Sequence, residues 1–194
     1  AYLDYCTGIA VNALGHSHPA LVKALKEQAE KVWHVSNLYT IPEGEQLAAR
    51  LCDLSSADKV FFTNSGAEAL EGSFKTARKY QSATGNPQRY RIISVTGSFH
   101  GRTLATISAT NNPKHLEGFG PRVDGFDQVP MGNMNVLRAA ITEETAGVVI
   151  EPVQGEGGIS AASADFLQDI RNVCDEFGLM MIVDEVQCGM GRTG

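Results

Sequence analysis

The chain has 194 residues, 43% of them hydrophobic, which is enough to bury one sizeable core and near the usual length of a single domain. A net charge of −6, a sequence pI near 5.3 and the absence of any Lys/Arg run exclude a nucleic-acid footprint and favour small metabolites as partners. No apolar stretch reaches the roughly 18 residues of a membrane span, and no basic-then-apolar leader opens the chain, so neither membrane contact nor secretion is expected and a cytoplasmic location is. Cys6, Cys52, Cys174 and Cys188 are scattered without a C-x-x-C pair, so neither a zinc site nor a disulfide framework is suggested. His16 and His18 lie near Cys6 but have no second ligand pair, and no metal is expected.

The chain opens in strand-like Tyr2-Leu3-Asp4-Tyr5. Apolar residues at 21, 22, 25, 29, 32 and 33 follow helical spacing, with Pro19 suited to the first turn. A second helix is predicted over 43–54. Lys59-Val60-Phe61-Phe62-Thr63 reads as a strand, followed by a helix from Ser65 to Tyr80 with apolar residues at 67, 70, 74 and 77. After the break at Gly85-Asn86-Pro87 come a strand at Arg91–Val95, a short helix at 102–109 and a Gly/Pro/Asn-rich loop over 111–133. A helix at 134–141, a strand at 146–150, a helix at 163–177 and a strand at 179–183 complete an alternating pattern, which predicts an α/β fold with parallel crossovers. The continuous apolar run Leu179–Val183 suits a central strand covered on both faces.

Ligands in parallel sheets bind where the strands end, so the turns after residues 63, 96, 150 and 183 carry the chemistry. Asn64-Ser65-Gly66-Ala67-Glu68-Ala69 stands between strand and helix, where free N–H groups and the helix dipole hold a phosphate; the S-x-x-E spacing of Ser65 and Glu68 is equally an ordinary capping box. Ser98-Phe99-His100-Gly101-Arg102-Thr103 offers a ring for stacking and a guanidinium fork for a carboxylate, or else a core Phe, a satisfied His and a solvated Arg. Glu151-Pro152-Val153-Gln154-Gly155-Glu156-Gly157-Gly158 puts carboxylates and close-approach glycines at a third strand end, or forms a charged surface turn. Asp184 sits where the last strand ends, and a half-buried carboxylate there needs a positive or hydrogen-bonding partner, such as an aromatic nitrogen held as a cation. Gly189-Met190-Gly191-Arg192-Thr193-Gly194 matches G-x-G-x-x-G, but the helix and acidic residue that follow a dinucleotide fingerprint lie beyond the 194 residues, and Asp184-Glu185 would sit badly against a pyrophosphate, so a nucleotide-binding reading rests on that run alone. A phosphate cradle, a stacking ring, a carboxylate clamp and an acid for a ring nitrogen together match pyridoxal 5'-phosphate, which works as an electron sink only with its ring nitrogen protonated.

In order, Asn64–Ala69, Phe99-His100-Gly101-Arg102-Thr103, Glu151–Gly158 and Asp184-Glu185-Val186-Gln187 with the following Gly-x-Gly-Arg-Thr-Gly resemble the motifs of class III aminotransferases across nearly the whole chain. Gly8–Pro19 and Ser36-Asn37-Leu38-Tyr39 resemble most the acetylornithine branch of that family. The resemblance implies the large domain of the pyridoxal-phosphate transferase fold type I, a three-layer α/β/α unit with a mostly parallel sheet, here incomplete. Residues 1–40 would lead into it, 41–194 would form it, and a C-terminal small domain would be absent. It implies that Gly66 and Ala67 supply phosphate N–H donors, that Phe99 and Val186 sandwich the ring, that Asp184 meets its nitrogen, and that Gln187 lies near its phenolic oxygen. Glu185 joins this cofactor-binding run. Arg102 would bind the substrate α-carboxylate, supported by Glu151, which also supports Gln187, while Glu156 would face the substrate. Asp184 and Glu156 are thus the implied catalytic residues.

Leu70 departs from the small or polar residue usual after this motif, a change that bears on helix packing. The family's Schiff-base lysine would fall some tens of residues beyond Asp184, and none of Lys23, Lys26, Lys31, Lys59, Lys75, Lys79 or Lys114 stands in a matching motif. The 194 residues therefore read as part of a larger polypeptide, inactive alone. The implied activity of the parent is transfer of an amino group from N-acetylornithine to 2-oxoglutarate in arginine biosynthesis, in a homodimer. Ornithine, succinylornithine and 4-aminobutyrate are alternative amino donors, since they share these cofactor turns. A class III mutase or decarboxylase and a lysine-less binding or dimerisation module are further alternatives.

Overall fold

A computed structural model describes residues 1–193, which divide into one unit over Ala1–Phe62 and another from Thr63 onward. Gly194, the last residue of the glycine-rich match, lies outside the described residues.

The first unit holds α1 (Thr7–Ala10), α2 (Pro19–Ala29) and α3 (Pro42–Asp53), none of which buries a residue. Pro19 and Pro42 occupy first-turn positions, where the missing N–H costs nothing. His18 caps α2 by accepting the N–H of Ala20 at Nδ1, 3.3 Å away. The expected strand over Tyr2–Tyr5 does not form. Asp4 Oδ1 instead accepts the N–H groups of Cys6 and Thr7, a local bond that turns the chain away from extended pairing. Helix α2 also stops at Ala29, short of Val32 and Trp33. Lys59–Thr63, expected as a strand, belongs to no sheet among the described residues, and Phe61 is 87% exposed. Apolar β-formers make a strand only when a neighbouring backbone takes their N–H and C=O groups.

The second unit runs α4 (Gly66–Ala83), β1 (Arg91–Val95), α5 (Leu104–Thr110), α6 (Pro113–Leu116), β2 (Phe126–Val129), α7 (Met134–Ala140), β3 (Thr145–Ile150), β4 (Val153–Gln154), β5 (Ser160–Ala161), α8 (Ala164–Phe177) and β6 (Met180–Val183). Four strands pair in the order β2-β1-β3-β6, every pair parallel, while β4 and β5 form a small antiparallel ribbon. Alternation along the strands sends side chains to two cores. Ile93, Val95, Val148 and Ile150 meet Leu137, Phe166, Ile170 and Val173 on the α7/α8 face. Ile92, Ala146 and Val149 meet Leu70, Phe74 and Ala77 of α4 on the other. Helices on both faces of a parallel sheet make three layers. Leu70, unusual in its motif, is a core residue, 4% exposed.

Two expectations need correction. Residues 111–133 are not all loop, because they contain α6 and β2. The polar Asp127 and Gln128 conceal the strand, and their partners are remote in sequence. Arg91 forks onto Asp127 with Nε–Oδ2 and Nη2–Oδ1 both at 2.8 Å, while Gln128 donates to the carbonyls of Ala109 and Thr110. Strand β6 is not central either. It forms one edge of the described sheet and is only half-buried, with Val183 exposed. Gly147 permits its tight approach to β3, since a Cβ there would stand 2.5 Å from the Met180 carbonyl oxygen.

Because the sheet is parallel, the turns following β1, β3 and β6 leave from one edge.

Candidate functional site

Helix α4 begins with a capping box whose return bond reaches one residue further back, to Asn64. Ser65 Oγ accepts the N–H of Glu68 at 3.2 Å, and Glu68 Oε2 accepts the N–H of Asn64 at 2.7 Å. The box does not use the first two helical N–H groups, those of Gly66 and Ala67, which an α-helix leaves without internal acceptors. The cap therefore leaves these two N–H groups available to an anion, with the positive end of an 18-residue helix behind them.

The turn after β6 is locked onto this helix end. A Cβ on Gly66 would lie 2.6 Å from Cγ1 of Val186, so only glycine leaves room for the Val186 side chain, itself 58% exposed. The N–H of Val186 in turn donates to Oδ1 of Asp184 at 3.1 Å. Asp184 is 6% exposed, and its own N–H extends the β3–β6 ladder by bonding the carbonyl of Ile150 at 2.8 Å. Its other oxygen, Oδ2, stands 2.8 Å from Nδ1 of His100. His100 is 2% exposed, and its N–H donates to Thr110 Oγ1 at 3.3 Å; Nε2 is buried with no partner among the described residues.

The turn after β1 closes against both neighbours. Gly101, at φ +119, passes 2.8 Å (measured from an added Cβ) from the Cβ of Ala67. Phe99 is half-buried, and its N–H donates to Oε2 of Glu151 at 2.8 Å. The ring of His115 meets Phe99 edge-on, with centroids 5.8 Å apart and planes at 88°, and the Arg102 guanidinium lies 5.5 Å from the Phe99 centroid. Arg102 is exposed, and no ion pair joins it to Glu151 among the described residues.

The turn after β3 completes the ring of loops. Gln154 Nε2 donates to the carbonyl of Thr96 at 3.1 Å, and Gly155 approaches the Gln187 side chain too closely for any Cβ. Glu151 is 4% exposed, and burial pushes its carboxyl up to about 7. The Phe99 N–H opposes that rise, while Asp184 and Glu156 add to it. Glu156 and Glu185 themselves face solvent, and Gln187 is half-buried. The neighbouring Cys188 is buried, which raises its thiol above the usual range.

All four turns singled out by their residues thus meet at one place. A residue that sequence reasoning passed over as an ordinary satisfied histidine, His100, proves to be the buried partner of Asp184. Its position one residue after a candidate stacking ring was the available signal. The arrangement offers anion-binding N–H groups, an exposed guanidinium beside a half-buried ring, and a buried carboxylate at a strand end. Among the described residues no group of three His, Cys, Asp or Glu is placed to hold a metal ion, and no helix is long and apolar enough to cross a membrane.

Residues 1–194 match the family model described as aminotransferase class III. An acetylornithine aminotransferase of Agrobacterium fabrum is 63% identical over 193 residues, covering 100% of this chain and 48% of that protein. Among solved structures, an N-acetylornithine aminotransferase from Stenotrophomonas maltophilia superposes with a TM-score of 0.83 at 39% identity, covering 99% of this chain and 48% of the other. An ornithine aminotransferase from Toxoplasma gondii, with partial occupancy of pyridoxal phosphate at its active site, gives a TM-score of 0.91 at 28% identity and covers 97% of this chain and 46% of that one. The chain spans about half the length of the relatives it matches.

Proposed function

The chain belongs to the class III aminotransferase family, and on that premise we propose that it forms the cofactor-binding part of a pyridoxal-phosphate enzyme that moves the δ-amino group of N-acetylornithine to 2-oxoglutarate. The observation that carries the cofactor is the join made by Val186, which packs on Gly66 at the positive end of α4 and donates its N–H to buried Asp184. An anion site and a buried carboxylate held together in this way suit a ligand with a phosphate at one end and a cationic ring nitrogen at the other. The 63% identity to an acetylornithine aminotransferase carries the choice of amino donor.

In this reading the N–H groups of Gly66 and Ala67 hold the phosphate, and Asp184 holds a proton at the ring nitrogen. Phe99 and Val186 take the two faces of the ring, and Gln187 and Glu185 complete its surroundings. Bound pyridoxal phosphate supplies an electron sink that drains charge from the amino-bearing carbon. Arg102 swings from the Phe99 ring to grip the substrate carboxylate as a bidentate fork, a motion open to an exposed side chain. Glu151 holds the Phe99 turn in place by its bond to the main chain, and exposed Glu156 faces the incoming substrate. The family's cofactor-bonding lysine has no counterpart in the motifs present here, so the test belongs to the full-length protein. We also place that protein in the cytoplasm as a homodimer.

The test is a titration of the full-length protein with pyridoxal phosphate, followed by kcat/KM for N-acetylornithine, succinylornithine, ornithine and 4-aminobutyrate. N-acetylornithine is expected to lead. A lead for another amine by about tenfold, a difference of about 1.4 kcal/mol in transition-state binding, overturns the choice of donor, and absence of bound cofactor overturns the whole reading.

A further inference from the structure

We propose that His115 is a positioning residue for this site, whose imidazole meets the Phe99 ring edge-on and holds it in the plane at which it stacks on the cofactor; the inference rests on the reading of Phe99 as the stacking ring. Phe99 is half-buried, and its main chain is fixed by the bond from its N–H to Glu151 Oε2. That bond leaves the side chain free to turn about its own torsions. Among the described residues, one cation and one aromatic ring reach it. The Arg102 guanidinium lies over the ring, 5.5 Å from its centroid, and this group leaves for the substrate carboxylate in the proposed reaction. The His115 imidazole, with centroids 5.8 Å apart and planes at 88°, is the neighbour that stays. Perpendicular rings attract through the positive edge of one and the negative face of the other, so the pair resists rotation of Phe99 without stacking on it.

A braced joint delivers the imidazole. Helix α5 ends at Asn111, whose φ of +53 turns the chain and whose Nδ2 donates to Gln128 Oε1 of β2 at 3.0 Å. Asn112 then caps α6, its Oδ1 accepting the Lys114 N–H at 3.0 Å while its carbonyl accepts the His115 N–H at 2.9 Å. The sheet thus sets where His115 stands, through bonds on the residues that carry it. His115 Nδ1 is buried with no partner among the described residues, so no hydrogen bond at that atom explains the residue, whereas the ring contact does. An apolar ring in its place would keep the contact and shed an unmet polar atom.

The experiment titrates pyridoxal phosphate into the full-length protein and reads affinity together with the visible circular-dichroism band per bound cofactor, which reports how the cofactor ring is oriented. His115→Ala is expected to lose about 3- to 10-fold in affinity, the range of an aromatic pair, and to weaken the band. Inorganic phosphate, which needs only the N–H groups of α4, is expected to bind it as it binds the parent. His115→Phe is expected to stay within about twofold of the parent with its band intact, and His115→Asn, which is polar but has no ring, to behave as His115→Ala. In a Phe99→Ala background His115→Ala is expected to cost nothing further, because no ring remains to be held. Losses that multiply, a parent-like His115→Ala beside a weakened Phe99→Ala, or a His115→Phe as weak as His115→Ala overturns the positioning role. So does an equal loss of inorganic phosphate binding in His115→Ala, which marks a general structural defect. Should His115→Ala not fold, His115→Asn and His115→Phe decide by the same readouts. Parent affinity in Phe99→Ala instead overturns the stacking reading, and this inference with it.

Discussion

The main-chain N–H of Phe99 donates to Oε2 of Glu151 at 2.8 Å, joining two turns that lie 52 residues apart in sequence. The bond places a charge-seeking acceptor in an environment that otherwise disfavours charge, because Glu151 is 4% exposed and lies near Asp184.

From this follows a pH dependence with a definite sign. Burial raises the Glu151 carboxyl from 4.5 to about 7, so the folded chain holds its proton more tightly than the unfolded chain does. The stability this contributes is fully present below pH 4.5 and is lost as the pH rises through about 7. The size of the loss is on the order of 3 kcal/mol. Glu151→Gln keeps an acceptor for Phe99 and removes the titration. Denaturant midpoints taken from about pH 5 to about pH 8 should fall in the parent and stay level in the variant. A variant that falls in parallel with the parent would show that another group is responsible.

Gly66→Ala is expected to weaken pyridoxal-phosphate binding without unfolding the protein. The added methyl would lie 2.6 Å from Val186 Cγ1, and a β-branched side chain has few rotamers into which to retreat. Val186→Ala removes the obstruction, so the two substitutions should couple in a double-mutant cycle by about 0.5–3 kcal/mol in binding. Additive losses would mean that the two residues do not meet.

Gln81 is 1% exposed, and its Nε2 donates to the carbonyls of Ala146 at 3.2 Å and Gly178 at 2.7 Å, tying α4 to β3 and to the turn before β6. Gln81→Leu fills a similar volume but removes a buried donor from the Ala146 carbonyl and leaves Gly178 with only the 3.3 Å bond from Arg89 Nη1. A loss of about 2–4 kcal/mol in unfolding free energy is expected, with the ligand affinity of the folded protein little changed. A loss below about 0.5 kcal/mol, the range of an ordinary surface substitution, would refute the tie.

Arg102→Lys should raise KM for the amino donor by about tenfold, because an ammonium cannot form the bidentate fork, while cofactor affinity holds. Equal loss of both would place Arg102 on the cofactor instead.

Periodicity and turn chemistry made much of the fold legible. The helix begun by Pro19, the strand Arg91–Val95 and the helix ending at Phe177 all stand close to where local pattern puts them. The strand of Asp127 and Gln128 was hidden, because its polar groups are satisfied by Arg91, Ala109 and Thr110, which no local window includes. Lys59–Thr63 erred the other way, since local preference cannot supply the neighbour that a strand requires.

By itself the sequence determined which residue types stand at the four turns, since glycines, a helix cap and a carboxylate after an apolar run are properties of neighbours along the chain. Only the tertiary structure decided which of them touch. It paired His100 with Asp184 across 84 residues, Glu151 with Phe99, and Val186 with Gly66. The physical reason is the parallel sheet, which brings distant strand ends to one edge, where burial makes each polar group depend on a partner from another turn.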